Sequence, residues 1–407
     1  MGKKGINLEN VKNKNKSIII RMLNDKGPMS RKDIANAIGL TPATVTLLCN
    51  DMISQGIICE NGDIKDEPRA GRKKILIDIN CVCKYVVSVY IDSKNTYIYV
   101  CDLKANPIKK TSIKTNLSID YTMFLKKVAE EIKKIIKAIN KDFNDILGIG
   151  VAIPGVVDRE KGISKSSYGI WNTEVKIKDI LEEYLPCNII VENNIKAFVQ
   201  GELVYGSGRK KDNIFFLRWG PGVGSSMIID NKLYEGYENK AMEIGHYIVD
   251  PDGKKCRCGK RGCLETKVSI KLIYEEIINI FSEEKTPRLF ESLNGKKELF
   301  TEEFFEEWIS SVDIKNLNVF DIEIYKIIDK SIKVMALAVS NAITIFAPDE
   351  TIIFGTMFDN SKIEELFLEY YAEYEVDFNR DSIHKSTLSK KITYIGPTAI
   401  VVKEILF

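Results

Sequence analysis

The sequence predicts an α/β chain in two parts, a small head of short helices ending in a basic hairpin and a larger body of two α/β units. Three observations carry this expectation. At 407 residues the chain exceeds what one hydrophobic core sustains. Residues 1–80 hold 14 Lys and Arg against 9 Asp and Glu, a net of +5 that leaves −3 for the remainder. From Lys84 onward, apolar runs of strand length alternate with stretches of helical spacing.

In the head, KSIIIRMLNDKG has apolar residues at helical spacing and stops at Gly27. Ser30 then caps SRKDIANAIGL, with Asp33 three residues on and Gly39 as the stop. Thr41 is the N-cap of a third helix and Pro42 its first residue, where a missing N–H costs nothing. In TPATVTLLCNDMISQGII, Val45, Leu48, Met52 and Ile53 face inward while small and hydroxyl side chains face out, the surface of a recognition helix. A strand at GIICE, a polar turn at Asn61-Gly62-Asp63 and a strand after Arg69, Arg72, Lys73 and Lys74 make a basic wing. The ordered set predicts a winged helix-turn-helix over residues 1–80 with DNA as its partner. Thr41, Ala43, Thr44 and Leu47 are the candidates for base edges, and Arg69 and Arg72 for the backbone or minor groove.

The body begins with a hairpin at YVVSVYIDSKNTYIYVCDL, an amphipathic helix at TMFLKKVAEEIKKIIKAI and a buried strand, ILGIGVAIP, ending at Pro154-Gly155. A strand at PCNIIVENN and a second hairpin at FFLRWGPGVGSSMII follow, and the helical stretch after Glu265 leads to SIKVMALAVSNAITIFAPDETIIFG.

No segment approaches the ~18 apolar residues of a membrane span. The start lacks the apolar core of a signal peptide, and Ile6 stands where a myristoylation signal takes Ser or Thr. Nine scattered cysteines form no disulfide framework. These features lead us to expect a cytoplasmic protein, with Cys101 and Cys187 as small buried hydrophobes.

Within twenty residues, HYIVDPDGKKCRCGKRGCLE gathers His246, Cys256, Cys258 and Cys263, one imidazole and three thiolates in the spacing H-x9-C-x-C-x4-C. This is a full tetrahedral set for Zn2+, with no open position for an activated water and no zinc-anchored helix of the finger type. Glu243 and Glu265 flank it, and two carboxylates held to one small substructure can accept hydrogen bonds from sugar hydroxyls.

GVAIPGVVD, VENN, RWGPGVGSSMII, EIGHYIVDPDG and CRCGKRGCLE, in that order behind a winged helix, resemble the ROK family (repressor, open reading frame, kinase) in its xylose-repressor branch. The resemblance implies a two-lobed actin-like fold, of the ribonuclease H-like sugar kinase type, with a sugar site in the cleft between the lobes. The first lobe is expected over 84–195 plus 385–407 and the second over 196–384. It further implies that the zinc is structural, that His246 also borders the sugar, and that Glu243, Glu265, Asn193, Asn194, Pro154 and Gly155 are sugar ligands. Trp171 is either an apolar face for the sugar or a core residue.

Kinases of the family share these sugar residues, so three places bear on whether the chain is an enzyme. They carry Asp where VENN has Asn194, and an amide cannot take a proton from a sugar hydroxyl. Their phosphate loop, D-x-G-G-T, aligns with Tyr90 at its Asp and Asp92 at its first Gly. Pro221 stands in GPGVGSS where they have Thr, and Gly355 is single where a glycine pair is usual. The expectation is a sugar site without ATP: a repressor of carbohydrate-utilisation genes, released from operator DNA by a monosaccharide or sugar phosphate, and a dimer or tetramer. The alternatives are a sugar kinase with an added DNA-binding head and a regulator responding to a protein.

Overall fold

The computed structural model describes residues 8–63, 75–116, 118–167, 169–171, 173–206, 211–375 and 379–406. It divides into two units, Met1–Arg209 with Lys390–Phe407, and Lys210–Ser389.

In the first unit, helix α1 (Leu8–Lys26) begins well before Lys16, where apolar spacing alone would start it. Lys12 and Lys16 reach Asp51 at 2.7 and 2.8 Å, which holds the polar leader in the helix. Those hydrogen bonds, Lys12 first, hold the Asp51 carboxyl down at about 2. Strand β1 (Met29–Ser30) leads into α2 (Arg31–Ile38), where the Ser30 hydroxyl accepts from the Asp33 N–H at 3.2 Å. Gly39 closes α2 at φ 67°, a left-handed turn that suits glycine. Thr41 caps α3 (Pro42–Ser54) by accepting from the Thr44 N–H at 3.2 Å, a contact of about 1 kcal/mol. Strands β2 (Ile58–Asp63) and β3 (Ile75–Ile79) complete a sheet in the order β1-β3-β2. Strand β2 runs through Asn61-Gly62-Asp63, where the sequence predicts a turn, and a register shift between Glu60 and Asp63 absorbs the irregularity. Arg69 and Arg72 lie outside the described residues.

The same unit continues with β4 (Tyr85–Ile91), β5 (Asn95–Cys101) and β6 (Pro107–Lys114), a third strand beyond the expected hairpin. Then come α4 (Tyr121–Lys137), β7 (Ile146–Ile153), the small pair β8 (Val156–Asp158) and β9 (Ile163–Ser166), α5 (Ile177–Glu182), β10 (Ile189–Asn193) and α6 (Asn194–Tyr205). The sheet order is β10-β7-β4-β5-β6, parallel on its β10–β7–β4 side. Burial follows the alternation and the helix stripe: α4 puts Phe124, Val128, Ile132 and Ile135 on a sheet face holding Val87, Val89 and Val151.

The head shares a core with this lobe. Ile19, Leu23, Val45 and Met52 belong to one apolar cluster with Val86, Tyr90, Val204 and Val401. The side-chain amide of Asn24 in α1 donates to the Val204 carbonyl near the end of α6 at 2.7 Å.

The second unit opens with β11 (Ile214–Trp219), β12 (Val223–Ile229) and β13 (Lys232–Leu233). Helices α7 (Glu265–Val268), α8 (Ile270–Ile280), α9 (Pro287–Ser292), α10 (Glu302–Ile309), α11 (Ile314–Phe320) and the 25-residue α12 (Ile322–Phe346) follow. Last come β14 (Glu350–Phe354), α13 (Thr356–Asp359), α14 (Ser361–Tyr374) and β15 (Ile383–Lys385). Its sheet, β13-β12-β11-β14-β15, again joins an antiparallel hairpin to parallel strands. The final helix, α15 (Ile392–Leu406), belongs to the first unit, where a Cβ on its Gly396 would come within 2.7 Å of the α6 backbone. The division therefore falls at Arg209 and Lys390, and α6, which the sequence reading assigned to the second lobe from residue 196, lies in the first unit. Among the described residues no helix is long and apolar enough to cross a membrane.

Candidate metal centre and nucleic-acid interface

In the second unit a single helical turn, Ile244–His246, leads into a loop folded back on itself. The N–H groups of Val249 and Asp250 donate to the Gly262 carbonyl at 2.9 and 3.2 Å, and the Cys256 N–H donates to the Lys260 carbonyl at 2.7 Å. Gly262, at φ 64°, admits no side chain, because a Cβ there would lie 1.4 Å from the Asp250 carbonyl oxygen. The fold brings one ligand atom each from His246, Cys256, Cys258 and Cys263 within 4.8 Å of one another. Cys256 Sγ lies 3.6 Å from His246 Nδ1 and Cys258 Sγ lies 3.6 Å from Cys263 Sγ. A tetrahedron with zinc–sulfur bonds of about 2.3 Å has edges of roughly 3.8 Å, so the donor set and its spacing fit Zn2+. Burial pushes the His246 imidazole below its ordinary range, toward the neutral form a metal requires.

Glu243 and His246 both line a cavity of about 330 Å3 in this unit, with Ser225, Lys260 and Asn341 among apolar walls that include Phe215 and Phe346. Glu265 does not line it. Its carboxylate accepts from Arg257 twice, Nε at 2.9 Å and Nη2 at 3.0 Å, and from the Val223 N–H at 3.1 Å. Arg257, set between two of the cysteines, escaped the sequence reading. The signal was available, since a side chain flanked by two candidate ligands of one metal is held wherever they are held.

In the first unit the parallel register sets Asn193 beside Ile153, next to the Pro154-Gly155 turn. The Asn193 amide donates to the Gly155 carbonyl at 2.7 Å, and its oxygen accepts from the N–H groups of Ile195 and Lys196 at 2.9 and 3.0 Å. Asn193 is thus the N-cap of α6 and the fastener of the turn. Gly155 sits at φ 96°, with the Ser166 carbonyl oxygen 1.9 Å from where a Cβ would be. Asn194 begins the helix, and its amide donates to the Tyr90 hydroxyl at 3.1 Å. Trp171 packs edge-on to Tyr121 and Phe124 in the lobe's core, which favours the packing alternative.

On the recognition helix, Thr41, Ala43 and Leu47 are exposed, Leu47 to 72%. Thr44 is half-buried, with its hydroxyl 2.8 Å from that of Thr41. The exposed stripe continues through Thr46 and Asn50 instead, at the i, i+3, i+4, i+7 spacing of one helix face.

The model of the ROK family matches residues 96–404. The chain belongs to the ROK family. Residues 12–58 match a model described as winged helix-turn-helix DNA-binding. The chain is 25% identical to the "Xylose repressor" of Caldicellulosiruptor bescii over 398 residues, covering 96% of both chains. It is 25% identical to the "DNA-binding transcriptional repressor Mlc" of Escherichia coli over 269 residues, covering 66% of both. A crystal structure of a ROK family transcriptional regulator, described as a homolog of the E. coli MLC protein, matches with a TM-score of 0.77 at 21% identity, over 97% of this chain and 96% of that one. A ROK glucokinase from Streptomyces griseus, in complex with glucose and AMPPNP, matches with a TM-score of 0.62 at 20% identity, over 78% of this chain and 98% of that one. This ROK chain therefore has the actin-like sugar-kinase-type fold behind an N-terminal winged helix-turn-helix.

Proposed function

We propose that this ROK chain is a sugar-responsive transcriptional repressor without kinase activity. The observation that carries the reading is the pairing of Asn194 with Tyr90. The two positions where ROK kinases place aspartates hold an amide and a phenol bonded to one another, behind a head whose recognition face is exposed. Neither group is a base for a sugar hydroxyl at neutral pH. The names of the curated relatives, a xylose repressor and Mlc, support the same reading.

The effector is a monosaccharide or sugar phosphate. In the first unit the candidate ligands are Asn194 and the Pro154-Gly155 turn, with amide and backbone groups; in the second they are Glu243, His246 and Glu265, with acceptors and an imidazole. Asn193 acts through the turn it fastens. Glu265 takes three hydrogen bonds of roughly four that a carboxylate accepts, which leaves one lone pair for a hydroxyl. The His246, Cys256, Cys258 and Cys263 cluster holds a structural zinc. With all four positions taken by the protein, a bound zinc would supply rigidity and no activated water. The partners are operator DNA and a second copy of the chain, with Thr41, Ala43 and Leu47 toward the bases.

Helix α6 offers a route for the signal. Asn193 and Asn194 stand at its start, and Val204, near its end, accepts from Asn24 of the head. A 12-residue helix spans roughly 18 Å, and this one is buried along nearly all its length. The test is to titrate xylose, glucose, N-acetylglucosamine and their phosphates into the full chain by thermal shift, then to repeat the best binder with and without operator. Linkage requires that a sugar which weakens operator binding is itself bound more weakly by the operator complex, by the same factor. Equal sugar affinity in both states overturns the reading.

A further inference from the structure

The exposed stripe of α3 presents Ala43, Thr46, Leu47 and Asn50, and the first three carry methyl groups but no free donor. Thr46 spends its hydroxyl proton on the Pro42 carbonyl at 2.7 Å. Asn50 is the polar member, and its orientation is set from outside the helix. Arg31, the first residue of α2, donates from Nη2 to the Asn50 side-chain oxygen at 3.3 Å and to the Glu60 carboxylate at 2.8 Å. A guanidinium has donors and no acceptor, so only the oxygen of the amide can face it. The Asn50 Nδ2 group is thereby directed away from Arg31, and among the described residues it donates to nothing.

We propose that Asn50, oriented by Arg31, is the hydrogen-bonding base reader of this head and takes the adenine of an A·T pair in the major groove. The inference rests on the DNA-binding reading above. Adenine offers an acceptor at N7 and a donor at its N6 amino group, side by side. Nδ2 donates to N7, and the second lone pair of the amide oxygen accepts from N6 while the first stays with Arg31. Guanine offers two acceptors, so the oxygen would meet O6 without a proton between them. The methyl groups of Ala43, Thr46 and Leu47 flank this contact and suit the thymine C5-methyl. Arg31 is a positioning residue: its own guanidinium is shared between Glu60 and Asn50.

The experiment is selection of binding sites from a random duplex pool by the full chain, followed by affinity measurement on every single-base variant of the selected half-site. The wild-type chain is expected to show one adenine per half-site whose discrimination Asn50→Ala reduces by about ten- to a hundred-fold. Discrimination at the other positions, affinity for an unrelated duplex and its salt dependence should all stay unchanged, since phosphate contacts are untouched. Arg31→Met should relax the same position and add nothing to Asn50→Ala in the double variant, whereas Glu60→Gln should leave the preferred base unaltered. If Asn50→Ala keeps every preference of the wild type, or the relaxed position is a guanine, the assignment is overturned. A wild-type chain that selects no sequence overturns the DNA-binding reading itself, a result distinct from either.

Discussion

Asn194 and Tyr90, 4% and 2% exposed, are joined by a hydrogen bond of 3.1 Å from the amide to the phenol oxygen. The two buried side chains are therefore one structural feature, and a change at Asn194 alone leaves Tyr90 in place beside it. Asn194→Asp is expected to release no ADP above background when the chain is incubated with sugar, ATP and Mg2+. The carboxylate would have a proton acceptor's chemistry without a phosphate cradle beside it. Tyr90→Phe removes the acceptor and leaves a buried N–H unpaired, at a cost of about 1–3 kcal/mol. The midpoint of urea denaturation measures it.

Zinc content should be one ion per chain by elemental analysis and should fall to near zero in Cys258→Ser. That variant is expected to lose the thermal shift given by the effector sugar, because Glu243 and His246 reach their cavity from the same loop. Operator binding should persist, since the head's core is built from α1, α3 and the first lobe. A Cys258→Ser chain that still responds to sugar normally rules out the fastening role.

What the sequence made legible was whatever is written locally. Ser30, Gly39 and Thr41 mark helix ends through bonds to residues three or four away, and Pro42 takes the first position of α3, where no N–H is needed. The candidate metal ligands lie within eighteen residues, so their spacing alone announced them. Tertiary choices were hidden. Asn193 has the same side chain whether it binds a sugar or caps α6, and only its position beside Gly155 shows that it caps. Thr44 is half-buried, with its hydroxyl paired to that of Thr41, a local contact that the spacing of α3 does not announce. The sequence places a lobe boundary after residue 195, whereas α6 belongs to the first unit through Tyr205.

The Arg257–Glu265 pair predicts a specificity of residue type. Glu265 is 7% exposed and held by a two-pronged guanidinium from the metal loop. Arg257→Ala leaves that carboxylate with the Val223 N–H, and Arg257→Lys supplies one charge without the fork. Both are expected to weaken sugar binding by about ten-fold, with the alanine variant losing roughly 1 kcal/mol of stability, a modest figure because the arginine is itself half-exposed. Isothermal titration with the effector separates the two effects. Unchanged affinity in both variants means that Glu265 serves only to anchor the Val223 turn.

The contact between Asn24 and Val204 tests whether α6 carries the signal. Asn24→Ala removes the donor from the head and leaves the Val204 carbonyl, near the end of α6, without that partner. Neither the sugar residues nor the recognition helix is altered, so each ligand alone should bind with nearly wild-type affinity. Their coupling should fall by about 0.5–2 kcal/mol, the range over which residues along a packed route act. The measurement is the ratio of sugar dissociation constants with and without operator, which should move toward one. An Asn24→Ala chain with the full wild-type ratio would place the transmission elsewhere, in the shared core of α1 with Val86 and Tyr90. In that case Leu23→Ala, which thins that core, should reduce the ratio where Asn24→Ala does not.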